Sequence, residues 1–154
     1  MRSFVRCLFL ICVGVIVPSA LLFAALVKDV GADGTLNFED GKRVVLAGIQ
    51  MDEEGISVLR VLAQKQDVKL RLIPGTLPDG KKSGYAYLQS KYIKFPEKAG
   101  VIPAQQEVLL NEFLVKVGAA KVVETQAFSQ KARFLKVQAE ARKKGEGVWS
   151  YEPS

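Results

Sequence analysis

Histidine is absent from this chain of 154 residues. That absence excludes Ser-His-Asp triads, Cys-His dyads, HExxH zinc sites and histidine proton relays. Cysteine is nearly absent. Cys7 and Cys12 both lie in the apolar N-terminal stretch, so the rest of the chain holds no thiol for a disulfide, a thiolate metal site or a redox pair. Internal repeats and low-complexity tracts are lacking as well. No acidic residue precedes Asp29.

What stands in that acid-free region is an uncharged run over residues 7–27, CLFLICVGVIVPSALLFAALV, preceded by Arg2 and Arg6. As a helix it measures about 31 Å, the thickness of a bilayer's hydrocarbon core. A cleaved signal peptide is the competing reading. Its apolar part is usually shorter, and the small-x-small site formed by Val30 and Ala32 lies beyond Lys28 and Asp29. The run therefore predicts a signal anchor at 7–27 after a basic tail at 1–6. The Arg pair places the N-terminus in the cytoplasm and the following domain on the outer side. Pro18 is tolerated within a membrane helix. After residue 27 there are 20 basic and 16 acidic side chains, a mildly basic balance of about +4 that suits phosphate or anionic lipid without diagnosing either.

Short β-type runs come first, at 27–30, 35–38 and 43–49. The turn Glu39-Asp40-Gly41-Lys42 makes the last two a hairpin. Acids at Asp52, Glu53 and Glu54 suit the positive end of a helix, and Ile56, Leu59, Leu62 and Ala63 continue it to about Gln66. Alternation at 68–73 predicts a strand, 74–84 a loop and 85–88 another strand. Residues 89–106 read as an ordered loop inserted into the domain. A helix over 107–117 ends at Gly118, a short strand covers 121–123, and an amphipathic helix spans 129–144 with Phe134, Leu135, Val137 and Ala141 inward. This order predicts a mainly β, α+β domain over 28–151, a small five-stranded barrel decorated by three helices, with a short tail at 152–154.

The chain resembles the staphylococcal nuclease (thermonuclease-like) family. The likeness runs through Gly34-Thr35-Leu36, VVLAGIQMDEE, DGKKSGYAYL, LLNEFLVKVGAAKV and the closing GVW, from about Val27 to Trp149. The family reads approximately V-x-D-G-D-T, V-R-L-x-G-I-D-x-P-E, D-x-Y-G-R-x-L-A-Y, V-N-x-x-L-V-x-x-G-x-A and G-x-W. The resemblance implies an OB-type barrel. It also implies a nuclease chemistry in which Ca²⁺ on carboxylates and two arginines neutralise phosphate charge while a glutamate orients or deprotonates water.

Mapped onto this chain, those positions change. The strand arginine falls on Val45, the second arginine on Ser83, one metal aspartate on Gln50 and another on Gly34, while the glutamate is kept as Glu53. Asp33, Arg43, Asp52, Lys81 and Lys82 are the neighbours placed to compensate. Arg43 shares the strand face of Val45 but sits about 6–7 Å along it. A lysine lacks the planar fork of a guanidinium. Losing one preorganised charge donor commonly costs about 100- to 1000-fold in rate. Glu53 has a plain alternative role as a first-turn acid on the helix dipole, and Asn111 reads as a structural side chain at a helix start.

The sequence-based expectation is thus a membrane-anchored, nuclease-like binding or scaffold module without the family's catalysis. It expects no metal, no small-molecule cofactor, and a nucleic acid or protein partner. Two alternatives remain open here: a phosphodiesterase or endonuclease with a rearranged Ca²⁺ site, and a structural subunit of a membrane assembly. Retained catalysis would be Ca²⁺-dependent, whereas salt-dependent affinity for nucleic acid separates a binding module from a structural subunit.

Overall fold

The computed structural model describes residues 22–89 and 107–150. Strand β1 (Leu22–Val30) pairs antiparallel with β2 (Leu36–Phe38), and β2 with β3 (Arg43–Leu46) across the expected hairpin. Gly41 takes φ +83° at that turn, and the Asp40 carboxylate accepts the Lys42 N–H. After β4 (Ile49–Gln50) comes helix α1 (Glu53–Ala63), then β5 (Asp67–Leu72) and β6 (Lys82–Gln89). β5 pairs with β1 on one side and β6 on the other, and β3 runs parallel to the start of β6. The strands β1, β2, β3, β6 and β5 therefore close a five-stranded barrel, in agreement with the expected class.

Farther along the same β6, β7 (Glu107–Leu109) pairs with Tyr87–Gln89 and leads directly into α2 (Leu110–Lys116). β8 (Lys121–Val122) pairs with β4, α3 (Lys131–Lys144) lies against α2, and a 3₁₀ turn over Gly147–Trp149 ends the described chain. Val27, Leu36, Val44, Val68, Leu70 and Leu88 fill the barrel. Leu59, Leu110, Leu114 and Phe134 seal it from the helical side.

Two boundaries move. The apolar run expected as a membrane helix to Val27 gives up its last six residues to β1, so the domain includes residues from Leu22 onward. Phe23, Ala25 and Val27 turn toward the core while Ala24, Leu26 and Lys28 face outward. Because Ala24 and Leu26 are apolar too, this period of two is invisible in the sequence. Among the described residues no helix is long and apolar enough to cross a membrane. The remainder of the expected anchor, most of the 89–106 insertion and the 152–154 tail lie outside the described residues. The expected helix over 107–117 starts three residues later, because Glu107–Leu109 completes a ladder with β6 before the chain turns.

Gly118 takes φ +70° after α2, and Gly145 caps α3 at φ +63°, both in the left-handed region that glycine adopts without steric cost. Gln138, absent from the expected inward set of α3, is buried and accepts the Val122 N–H at 2.7 Å. Its amide ties α3 to β8 in a place where an apolar side chain would leave that donor unpaired.

Candidate functional site

Val45 lies on β3 and Ser83 on β6, and the two are direct register partners in the parallel ladder. Both positions expected to carry a phosphate-binding arginine thus fall side by side on one patch of barrel wall, now a half-buried isopropyl group and a hydroxyl. Arg43, two residues before Val45, is exposed; the Asp79 carboxyl is held below its ordinary value by Lys81 first and, least of all, by the field of Arg43. Gln50 ends β4 opposite Lys121 and lines a cavity of about 300 Å³ with Met51, Asp52 and Ala119.

Gly34 stands at φ +77°, and a Cβ there would meet the Met51 methyl at 2.8 Å. An aspartate at this position would be strained by that φ, while the Met51 methyl, at the end of a flexible side chain, can yield. Asp52 caps α1, its Oδ1 accepting the Gly55 N–H at 2.8 Å. That hydrogen bond satisfies one of the free donors of the helix start. Glu53 is the first residue of α1 and is exposed.

The two candidate lysines are already engaged, Lys82 within its own loop and Lys81 across two. Lys82 Nζ reaches the Gly75 carbonyl at 3.3 Å and the Thr76 hydroxyl. Lys81 Nζ lies 2.7 Å from Asp33 Oδ2 and 2.8 Å from Asp79 Oδ2, with only 13 % of its side chain exposed. It thereby joins the β1–β2 turn to the β5–β6 loop. The Lys81 ammonium, foremost, and then Thr35 hold the Asp33 carboxyl well below the usual carboxylate range. Asp33 in turn, followed by Asp79, raises the Lys81 ammonium above its ordinary value. Asp79 was not among the expected site residues; the signal for it was the Asp79-Gly80-Lys81 turn, in which Asp79 Oδ1 accepts the Lys81 N–H.

A carboxyl depressed in the folded state stabilises the fold above its unfolded pKa and loses that contribution as pH falls. The thermal midpoint of Lys81→Met should therefore lie below that of the unaltered protein at neutral pH, with the gap closing as Asp33 and Asp79 are protonated below about pH 4. A gap of the same size at pH 7 and in strong acid would show that Lys81 acts through packing alone.

The fit of a calcium ion is tested by the same contacts. Calcium takes about six to eight oxygen ligands. Here Gly34 brings no side chain, Gln50 brings a neutral carboxamide, Asp52 is engaged in capping and Asp33 holds an ammonium. Among the described residues no three carboxylates gather where they could share a metal, so Asp33, Asp52 and Glu53 are not brought together. The residues present do not fit the ion.

Behind this wall sits Asn111, fully buried at the start of α2. Its Oδ1 accepts the Ala86 N–H at 3.1 Å, and its Nδ2 donates to the Ala47 and Gly84 carbonyls at 3.0 and 3.2 Å. It fills the gap along β6 between the end of β3 and the beginning of β7. The expected structural side chain is thus a bridge across the barrel seam.

Comparison with curated proteins returns no match for the chain. The family model described as staphylococcal nuclease homologue matches residues 35–151, about three quarters of the sequence and all of the described domain after the β1–β2 turn. The closed barrel, the three helices and this match lead to one conclusion: the chain belongs to the staphylococcal nuclease homologue family.

Proposed function

We propose that this protein is a nuclease-fold binding module that does not cut phosphodiesters, held at a membrane by its N-terminal apolar segment. The observation that carries the reading is the pairing of Val45 with Ser83. One stretch of barrel wall has lost both guanidinium positions together, so neither can substitute for the other. Gln50 and Gly34 remove the charge that would hold a metal beside that patch, and Arg43, Lys81 and Lys82 do not supply the missing fork. An OB barrel keeps a binding surface when its catalytic groups are gone, and such surfaces accept oligonucleotides or protein segments. A nucleic acid ligand would show an affinity that falls steeply with salt.

Since Leu22–Val27 belong to β1, the proposed anchor is what remains of the apolar run on the N-terminal side of that strand.

The test uses the full-length protein. It should stay with carbonate-washed membranes and, once solubilised, show no Ca²⁺-dependent cleavage of DNA or RNA above background. Glu53→Gln should change nothing, since a general base without metal and phosphate clamps has no step to perform. Robust Ca²⁺-dependent cleavage abolished by Glu53→Gln would refute the non-cutting reading. A mature N-terminus near Asp33, or release by carbonate, would refute the anchor.

A further inference from the structure

We propose that Lys81 is the domain's resident cation: its ammonium fills the cradle between Asp33 and Asp79, so that the loop end of the barrel is assembled without a metal ion. The misfit of calcium described above is one half of the argument. The other half is that both oxygens of each carboxylate, though half exposed to solvent, already have a partner. Asp33 gives Oδ1 to the Thr35 N–H at 3.1 Å and Oδ2 to Lys81 Nζ. Asp79 gives Oδ1 to the Lys81 N–H at 3.1 Å and Oδ2 to the same ammonium at 2.8 Å. Each carboxylate therefore spends one oxygen on the backbone of its own turn and the other on the shared cation.

This arrangement has the connectivity of a metal bridge. Asp33 and Lys81 are 48 residues apart in the chain, one on the turn between β1 and β2, the other on the loop before β6. The ammonium brings three donors and one positive charge, covalently tethered to one of the two loops it joins. A tethered cation requires no free ion, so its effective concentration does not depend on the medium. Arg43 adds positive charge on the Asp79 side, which offsets the second carboxylate. The Asp33 turn is the one that the resemblance assigns to a metal aspartate, and here the neighbouring position is Gly34, whose positive φ strains any side chain placed on it. The proposal goes beyond the binding reading and does not depend on it: it concerns what holds the loops, whatever the surface binds.

The experiment is a thermal unfolding series on the full-length protein in a neutral detergent, followed by the fluorescence of Trp149, the single tryptophan. Millimolar calcium should leave the midpoint of the unaltered protein where it is. Lys81→Met should lower the midpoint by a few degrees and leave two carboxylates facing one another, so that calcium recovers part of the loss while sodium chloride of equal ionic strength does not. Lys81→Arg, which keeps the charge, should stay close to the unaltered protein and remain indifferent to calcium. Asp79→Asn, a milder change that keeps the turn, should lower the midpoint without creating a calcium response. A midpoint of the unaltered protein that rises with calcium would overturn the proposal. So would a Lys81→Met protein that melts like the original, or one that is lowered yet ignores calcium, since Lys81 would then be an ordinary surface ion pair. Cleavage activity enters none of these readouts, so this proposal and the binding reading fail separately.

Discussion

Asn111→Leu should lower the unfolding free energy by on the order of 3–5 kcal/mol, the largest loss expected from any single polar residue in the domain. The side chain is fully buried and holds the Ala86 N–H together with the Ala47 and Gly84 carbonyls. Leucine keeps the branched outline, with bulkier methyl groups in place of the amide oxygen and nitrogen, but pairs with none of them. Each buried polar group left without a partner costs about 1–3 kcal/mol, and Gly84 keeps the Ala47 N–H as a second donor to its carbonyl, which moderates the sum. Asn111→Asp is the sharper control. It keeps an acceptor for Ala86 but turns the donor side into a buried negative charge facing two carbonyls, so it should be at least as damaging as leucine. Denaturant unfolding of the three proteins measures this directly. A loss below about 1 kcal/mol for Asn111→Leu would mean that the seam between β3 and β7 closes without the amide.

Removal of Trp149 is the second large effect. The indole is 6 % exposed and has two cations over its ring, the Lys121 ammonium and the Arg142 guanidinium, each 4.7 Å from the ring centre. The turn that carries it packs backbone against backbone on the end of α2. The Val148 N–H donates to the Gly118 carbonyl at 3.0 Å, and a Cβ on Gly118 would stand 2.1 Å from the Glu146 oxygen. Trp149→Ala should therefore cost about 3–5 kcal/mol, and ending the chain at residue 146 at least as much. Trp149→Phe should cost far less, because among the described residues the buried indole N–H has no hydrogen-bond partner, so its loss leaves none of them unpaired. Circular dichroism melts of the three proteins decide the matter. If the chain ending at 146 melted like the full one, Trp149 would not belong to the core.

Local features of the sequence led to the right places. The Glu39–Lys42 turn, the start of α1 at Asp52 to Glu54 and the glycines after α2 and α3 each act over a few residues, and the structure has all of them. The helical spacing of Leu59, Leu62 and Phe134 marked core positions because burial on a helix repeats with the turn. β1 departs from the expected membrane helix for an equally local reason. Strand alternation shows only when the outward face is polar, and Ala24 and Leu26 hid it inside an apolar run. The first three residues of the expected helix at 107 became strand because a partner 18 residues earlier, Gln89, was waiting for Glu107.

The candidate site divides along the same line. The sequence by itself determined which side chains are missing: no histidine, no usable thiol, no arginine at Val45 or Ser83 and no carboxylate at Gln50. It also determined the barrel class and the family, since both rest on the order of short, locally coded elements. Only the tertiary structure decided what the remaining groups do. Asn111 meets Ala86 and Ala47 across 25 and 64 residues of chain, Lys81 meets Asp33 across 48, and Gln138 meets Val122 across 16. These partners are chosen by barrel closure, which aligns strands distant in sequence, and no local periodicity encodes that alignment. A lysine available to a phosphate and a lysine locked between two aspartates look the same in a sequence. The difference lies in which loop the closed barrel brings beside it.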